Sequence, residues 1–337
     1  MRFLILGLGS VGQRHLINIK SLYKKSIIGT LSNIKDRKLI TLSRNKTKNN
    51  INSIYDIIVL KNKKEIKQFN PKYVIISNES HLHFKTIIPF LKDNYNVFVE
   101  KPLITKFNQI NYLKSIIKNS KSISAVGYQT RFNPIIKYIK KILAHNKTIN
   151  ANFNWFTYLP DHRPWQNYLT SYASIKQKGG GVIHSMSHEV DLIYNLYGMP
   201  NYLSAFESAK VINIQAEESI SSIFKYKNHI VNLNLSFASK NEKRYFDIFT
   251  EKKHIHCDLV SNRVIINSYN NKKTKLVKDF KITRNQLFIE EIRNFVNCSD
   301  KKLTSEISID EALKTSSICF NIHDSISKQK IIKIKNI

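Results

Sequence analysis

Short apolar stretches alternate with longer stretches of helical pattern over the first third of the chain. The apolar stretches lie at 2–6, 39–42, 57–60, 73–77 and 96–99. Helical patterns follow the first of these and then cover 63–68, 82–91 and 108–117. Strands that alternate with helices in this way predict βαβ units and a doubly wound parallel sheet covered on both faces, which is an α/β fold.

The pattern changes beyond Gly127. Residues 231–237 alternate between apolar and polar, as in a strand with one solvated face. Similar runs, with no long helix between them, lie at 203–213, 220–226, 245–250 and 264–268, and helical patterns follow at 286–296 and 309–326. A chain of 337 residues is also long for a single core. We therefore predict two domains, at 1–124 and 125–337, the second an α+β domain with an open, mostly antiparallel sheet.

The glycines are concentrated at two places. The chain has nine of them, and most lie within 7–12 and 179–181. The first group follows a predicted strand and opens a predicted helix. In a Rossmann domain such glycines make the turn, let the backbone approach a pyrophosphate, and pack the helix on the strand. This context predicts that 1–124 is an NAD(P)-binding Rossmann domain, with cofactor contacts from Gly7, Gly9, Ser10, Val11 and Gly12.

The choice between NAD and NADP depends on where the second strand ends. An NAD site places an acidic residue there, which accepts a hydrogen bond from the ribose hydroxyl. A strand at 38–45 would end at Ser43 and Arg44, whereas a strand at 26–33 would end at Ser32 and Asn33. Neither ends in an acid. Because Arg44 could hold a 2′-phosphate, we expect NADP as the preferred cofactor and NAD as the alternative.

The segment VFVEKPL (97–103) carries a family resemblance. An apolar strand that ends in Glu-Lys-Pro, after a dinucleotide fingerprint, resembles the Gfo/Idh/MocA family of nicotinamide-dependent oxidoreductases. Three further segments have the character of this family: YVIISNESHLH (73–83), AVGYQTRFNP (125–134) and GGGVIHSMSHEVDLIYNLYG (179–198). The insert at 158–181 is similar to a branch associated with surface-polysaccharide and unusual-sugar biosynthesis.

The resemblance implies hydride transfer between nicotinamide and a hydroxyl or keto carbon of a sugar, sugar nucleotide or cyclitol. Lys101 would polarise the forming carbonyl, and Glu100 would orient Lys101 or touch the cofactor. His188 would be the general acid–base, because the unperturbed pKa of histidine is about 6.5. Asp191, three residues further on, would orient the imidazole or contact the substrate.

One position departs from the family pattern. The family commonly places an aspartate three or four residues before His188, where this chain has Ser185 and His184. Either His184 takes over part of that role in catalysis, or the proton relay is rearranged, or full activity has been lost. Two alternatives to a dehydrogenase or reductase therefore stay open: a non-catalytic dinucleotide-binding member, and an NAD-recycling glycosidase-type member.

The resemblance also assigns binding residues. Further cofactor contacts are expected from Ser77, Asn78, His83 and Gln129, besides Ser43 and Arg44. Substrate contacts are expected from Arg131, Tyr158, Asp161, Arg163, Trp165 and Tyr172. His254, His256 and Cys257 resemble metal ligands, but no second ligand cluster accompanies them, and we expect no metal site.

Composition limits the remaining classes of protein. The formal net charge is +30, but lysines are spread over nearly every polar segment, so we expect no nucleic-acid partner. No apolar run is long enough for a bilayer, none resembles a signal peptide, and three separated cysteines imply no disulfide framework. We therefore expect a cytoplasmic protein without a membrane partner. The exposed face of the open sheet is expected to be apolar enough to require a second copy, in a homodimer or homotetramer.

Overall fold

The computed structural model describes residues 1–269 and 275–335. Its strands are β1 (Arg2–Leu6), β2 (Ile27–Thr30), β3 (Lys38–Ile40), β4 (Lys46–Asn50), β5 (Ile57–Val59), β6 (Tyr73–Ile76), β7 (Asn96–Val99), β8 (Ser124–Val126), β9 (Thr148–Tyr158), β10 (Tyr202–Glu207), β11 (Ser219–Lys225), β12 (Ile230–Ser236), β13 (Ala238–Thr250), β14 (Lys253–Asp258), β15 (Arg263–Ser268), β16 (Lys275–Asp279) and β17 (Ile332–Lys333). Its α-helices are α1 (Ser10–Leu22), α2 (Ile51–Ile54), α3 (Lys63–Phe69), α4 (His83–Lys92), α5 (Gln109–Asn119), α6 (Pro134–Leu143), α7 (Val182–Ser185), α8 (Ser187–Tyr197), α9 (Arg284–Lys301) and α10 (Ile309–Lys328).

The chain divides into two compact units. The first comprises Met1–Gln129 and Arg284–Leu313, and the second comprises Thr130–Thr283 and Lys314–Ile337. The first break lies close to the predicted boundary at 124, but the segment with α9 was expected in the second domain. It lies in the first because the apolar side of α9, which includes Phe295, is buried in the same cluster as Phe3 of β1.

The first unit contains the predicted parallel sheet. Its strand order is β5-β2-β1-β6-β7-β8, and every neighbouring pair is parallel. The central strands β1, β6 and β7 are buried almost throughout, because helices or loops cover both faces. The α/β fold class predicted from the alternation of strands and helices is confirmed.

The second strand of this sheet is the earlier of the two candidates, at 26–33. β2 pairs with β1 and β5, whereas the apolar run at 39–42 contributes to β3, which pairs with β4 in a separate antiparallel ribbon. Gly29 of β2 lets the Phe69 ring approach to 3.0 Å of where a Cβ would stand. Ser43 and Arg44 follow β3, and Arg44 has a φ of +67°. Of the two alternatives, the one in which they end the second strand is therefore wrong.

The second unit is built on a nine-stranded sheet. Its order is β16-β15-β14-β13-β9-β12-β11-β10-β17, and β9 and β12 form its one parallel pair among the described strands. Apolar residues of α6, α8 and α10 pack with one face of this sheet in a single cluster. The open, mostly antiparallel sheet predicted from the period-2 runs is confirmed.

The other face of the second sheet carries paired polar side chains. Asn232 donates to Asn152 over 2.7 Å, and Asn234 donates to Asn154 over 3.0 Å. The middle of this face is thus more polar than the sequence analysis expected. The homo-oligomer stays a prediction. Within the described ranges, no helix is long and apolar enough to cross a membrane, and the three cysteines are buried and free.

Candidate functional site

The N-terminal glycine turn is tightly packed on one side and open on the other. Gly7 has a φ of +95°, and a Cβ there would lie 2.4 Å from the Asn78 nitrogen. A Cβ at Gly12 would lie 1.9 Å from the Gly7 carbonyl oxygen. A Cβ at Gly9, by contrast, would have no described atom within 4 Å. Helix α1 begins after Gly9 with no side-chain cap and no acid in its first turn, so its positive end, which includes Ser10 and Val11, suits a pyrophosphate.

Two strand ends border this turn. The Ser77 hydroxyl donates to the Gly7 carbonyl oxygen over 2.8 Å, and the Gly7 N–H donates to the Ser32 hydroxyl over 3.3 Å. Arg37 donates to the Leu8 carbonyl over 3.0 Å and to that of Asn33 over 3.3 Å. The region after the second strand of the parallel sheet, where Ser43 and Arg44 were expected, thus contains Ser32, Asn33 and Arg37. The sequence analysis missed Arg37 because it lies in a polar break with no periodic pattern.

The Glu-Lys-Pro segment follows β7, and its Lys101–Pro102 peptide is cis. The Glu100 carboxylate is 2.7 Å from His15 Nε2 and accepts the Lys101 N–H over 3.3 Å. A Cβ at Gly127 would lie 2.9 Å from Glu100 Oε2, so that glycine leaves room for the carboxylate. Glu100 therefore fixes the backbone that presents Lys101.

His83 links two of the predicted cofactor segments. Its Nδ1 is 2.8 Å from the Pro102 carbonyl oxygen, and its Nε2 is 3.1 Å from that of Asn78. Burial lowers the pKa of His83, so a neutral ring donates to one of these carbonyls at a time. His83 holds the loop after β6 against the Glu-Lys-Pro segment. Gln129, the last cofactor candidate, is buried at the end of the first unit.

The second unit contains α8, the helix that carries His188. His188 is buried in α8, with its ring centroid 6.4 Å from that of Trp155. Asp191 is fully buried and accepts two hydrogen bonds from Arg131, of 2.9 and 2.7 Å, and one from Thr315 of 2.9 Å. Asp191 was expected to orient His188, and Arg131 to bind substrate. The structure instead pairs the two residues with each other.

A buried carboxyl group lies at the start of the same helical segment. Gly181 has a φ of +96°, and a Cβ there would lie 2.0 Å from Glu217 Oε1. Glu217 accepts the Ile183 N–H over 3.2 Å and lies 3.9 Å from His323 Nε2. The His323 ring is in turn 5.1 Å from that of His184, which is buried. Burial raises the pKa of Glu217 to about 7. No local pattern marks Glu217 in the sequence, because only the fold brings it near His323.

The insert after β9 forms a small pocket, lined by Leu159, His162, Arg163, Gln166, Tyr168, Ser171, Tyr172 and Ala173. The Arg163 guanidinium lies 5.7 Å from the Tyr172 ring centroid. Trp165 and Asp161 are exposed, and Tyr158 is half-buried. Of the predicted substrate residues, the structure therefore brings Arg163 and Tyr172 together at one concave surface.

Two further polar clusters lie in the second unit. Arg244 stacks on Trp155 at 4.2 Å and forms two hydrogen bonds to Glu189, of 2.6 and 3.1 Å, which the sequence analysis missed. On the sheet face, His254 and His256 both contact Asp247 Oδ1, at 2.8 and 2.9 Å. The Cys257 side chain is on the opposite face of β14 from His256, and it is buried.

Comparison with known sequences gives the family of the first unit. Residues 1–128 match the sequence model of GFO_IDH_MocA, described as an oxidoreductase family with an NAD-binding Rossmann fold. A Bacillus subtilis protein named as an oxidoreductase, YteT, is 24% identical over 127 residues, covering 36% of this chain and 29% of its own. The 2,7-anhydro-N-acetylneuraminate hydratase of Mediterraneibacter gnavus is 23% identical over 125 residues, covering 37% of this chain and 33% of its own. The chain thus spans about a third of each curated relative that it matches.

Solved structures share the fold of the whole chain. UDP-N-acetylglucosamine 3-dehydrogenase GnnA from Acidithiobacillus ferrooxidans has a TM-score of 0.79 at 14% identity, covering 97% of this chain and 98% of its own. Levoglucosan dehydrogenase, in complex with NADH and levoglucosan, has a TM-score of 0.83 at 12% identity, with both chains fully covered. The WlbA dehydrogenase from Bordetella pertussis, in complex with NADH and UDP-GlcNAcA, has a TM-score of 0.81 at 17% identity, covering 100% of this chain and 99% of its own.

At these identities the structural likeness establishes the fold alone. The sequence match and the glycine turn give the more specific result for the first unit. The resemblance predicted from the Glu-Lys-Pro segment is confirmed for the N-terminal domain: residues 1–128 match the Gfo/Idh/MocA family of oxidoreductases with an NAD-binding Rossmann fold.

Proposed function

We propose that this protein is an NAD-dependent dehydrogenase or reductase that acts on a hydroxyl or keto carbon of a sugar or sugar nucleotide. The observation that carries the proposal is the uncapped start of α1 beside the open side of Gly9, within the matched family domain. The sugar class is supported by the similar structures, which include a UDP-N-acetylglucosamine 3-dehydrogenase, a levoglucosan dehydrogenase with levoglucosan and the WlbA dehydrogenase with UDP-GlcNAcA.

The proposed roles follow from the chemistry of the side chains. A dinucleotide held at the start of α1 by Gly9, Ser10 and Val11 would supply the hydride exchange with the substrate carbon. Lys101 stabilises the negative charge that the carbonyl oxygen carries in the transition state, and His188 holds the hydroxyl proton when that carbonyl forms. Arg163 and Tyr172, which meet at the pocket of the insert, contact the sugar.

The cofactor is proposed to be NAD rather than NADP. The NADP preference rested on Arg44, which lies outside the parallel sheet. The second strand is followed by Ser32 and Asn33, whose oxygens can accept from ribose hydroxyls, and Arg37 is already hydrogen-bonded to two carbonyls. The similar structures of levoglucosan dehydrogenase and of WlbA are both complexes with NADH.

A fluorescence titration of the purified protein with NADH and NADPH tests this function at its first step. We expect NADH to bind at least about fivefold more tightly than NADPH, because the Arg37 guanidinium at the strand end is already hydrogen-bonded to two carbonyl oxygens. Arg44→Ala should leave both affinities unchanged and serves as the matched control for Arg37→Ala. Tighter binding of NADPH that is lost in Arg44→Ala would restore the NADP assignment, and binding of neither cofactor would remove the proposed function.

A second candidate is a reaction without net change in the cofactor. It is favoured by one observation, the match of the N-terminal segment to a hydratase. Turnover of a sugar substrate with retained cofactor and constant nicotinamide absorbance would support this candidate. Net NADH formation or consumption would support the dehydrogenase or reductase. Tight NADH binding with no turnover on a broad panel of sugars and nucleotide sugars would favour the non-catalytic alternative.

A further inference from the structure

Three ionisable side chains form a buried cluster in the first unit. His15 of α1, Glu100 after β7 and Glu291 of α9 are 0%, 9% and 2% exposed. One polar atom from each lies within 4.8 Å of the other two. The Phe98 and Phe288 rings pack edge-on against the His15 ring, at centroid distances of 5.1 and 6.0 Å. Three distant parts of the sequence thus place two carboxyl groups and an imidazole in an apolar setting.

The distances favour a shared proton over a metal ion in this cluster. Ligands of a tetrahedral ion with bonds of about 2.0–2.1 Å stand about 3.3 Å apart. His15 Nε2 and Glu100 Oε1 are only 2.7 Å apart, which is the length of a charge-assisted hydrogen bond. Among the described residues, neither oxygen of Glu291 has a hydrogen-bond partner, so a negative charge there would be buried without compensation.

The charges around the cluster determine the form of Glu291. The imidazole of His15 faces two carboxyl groups, and the Glu100 carboxylate interacts electrostatically with Arg14 of α1. A second buried carboxylate without a partner would be strongly disfavoured, and protonation removes that penalty. In agreement, burial and the nearby charge of Glu100 raise the pKa of Glu291 well above its usual range.

Glu100 is enclosed by groups that fix its direction. One oxygen pairs with His15, the other accepts the Lys101 N–H, and Gly127 leaves space for the carboxylate. We infer that Glu291, as a neutral carboxylic acid, completes this enclosure and is a positioning residue for Glu100 and hence for Lys101. The effect on turnover rests on the proposed function, whereas the protonated carboxyl group does not.

Infrared difference spectroscopy tests the protonated group without any substrate. At neutral pH, wild type minus Glu291→Gln should contain the carbonyl band of a protonated carboxyl group. The matched control is Glu290→Gln, since Glu290 is an exposed neighbour paired with Arg293, and its difference spectrum should lack this band. Absence of the band from the Glu291→Gln spectrum would overturn the inference. So would a stoichiometric divalent metal in the purified protein that Glu291→Gln removes.

Positioning is tested by comparing Glu291→Gln with Glu291→Ala. The amide of Glu291→Gln imitates the neutral acid, so kcat and the labelling rate of the Lys101 amine should stay within about twofold of wild type. Glu291→Ala should lower kcat about tenfold and leave the KM for cofactor unchanged. It should also accelerate labelling of the Lys101 amine. Equal loss in both variants would overturn the positioning role, because the negative charge would then be needed. If Glu291→Ala fails to fold, Glu291→Gln alone decides through its kcat and labelling rate. If the wild type turns nothing over, the proposed function fails, and the labelling and infrared results still decide this inference.

Discussion

Glu217 and Glu218 are neighbours in the sequence with opposite electrostatic environments. Burial raises the pKa of Glu217 to about 7, although it accepts the Ile183 N–H. Burial would also raise the pKa of Glu218, but three backbone N–H groups donate to its carboxylate and hold the pKa below its usual value. One residue therefore prefers to be neutral in the fold and the other prefers to be charged.

Glu217→Gln should change how stability depends on pH. Because the folded pKa of Glu217 lies above the unfolded value, its contribution is fully present below about pH 4.5 and is lost as pH rises through about 7. The amide keeps the neutral form at every pH. Relative to wild type, the variant should therefore gain on the order of 3 kcal/mol in free energy of unfolding between about pH 4.5 and pH 8, measured by urea unfolding.

The adjacent variant is the control for this titration. Glu218→Gln should lose stability at neutral pH and lose progressively less as the pH falls, because the stabilising form of Glu218 is the carboxylate. If both variants shifted the pH dependence in the same direction, the contrast between the two environments would be wrong.

Lys101→Met removes the cation assigned to the reacting oxygen while keeping a side chain of similar length. We expect unchanged folding and NADH affinity, with kcat lower by roughly 10²-fold or more. Steady-state kinetics on the substrate found in the panel measures this loss. Lys106→Met is the matched control, since Lys106 is an exposed lysine in the same loop. Near-normal turnover of Lys101→Met would remove Lys101 from the reaction.

At the scale of elements, α8 is held by a buried ion pair. Asp191 of α8 joins Arg131, just before α6, and Thr315 of α10. Both partners of the ion pair are almost fully buried. The pair therefore fixes the helix that carries His188.

Asp191→Asn should destabilise the protein by about 3–5 kcal/mol, because it leaves the Arg131 guanidinium buried without a counter-charge. Urea unfolding measures the change. Asp279→Asn, which breaks the exposed pair with Arg263, should leave the transition unchanged within error. A loss in Asp191→Asn no larger than that in Asp279→Asn would mean that the pair does not hold the helix.

The elements that the sequence predicted well are those set by local pattern. The glycine turn, the strands β6 and β7, and the helices α3 to α5 follow from short runs of residues. The NADP preference relied on the later of two candidate second strands, which was the wrong choice. Both runs are short, and only pairing with β1 distinguishes them. The partners of the candidate residues were missed for a different reason. Asp191 lies 60 residues from Arg131, and no periodicity connects two positions that only the tertiary fold brings together.

At the scale of the whole molecule, the first unit is built from two separate segments of the sequence. The second unit interrupts the first, which consists of Met1–Gln129 and Arg284–Leu313. The sequence analysis expected a single boundary, because α9 shows only an amphipathic pattern that fits either core. The apolar residues of α9 decide the matter by packing with β1 and α1.

This discontinuity has a consequence for synthesis on the ribosome. When Gln129 emerges, the first unit lacks Phe295 and its neighbours, so the cluster around Phe3 stays partly uncovered while Thr130–Thr283 is translated. Glu291 reaches His15 and Glu100 only after that. The nascent Rossmann domain can therefore mature only late in translation, and a protein cut back to its first 129 residues would expose apolar surface that the complete chain covers.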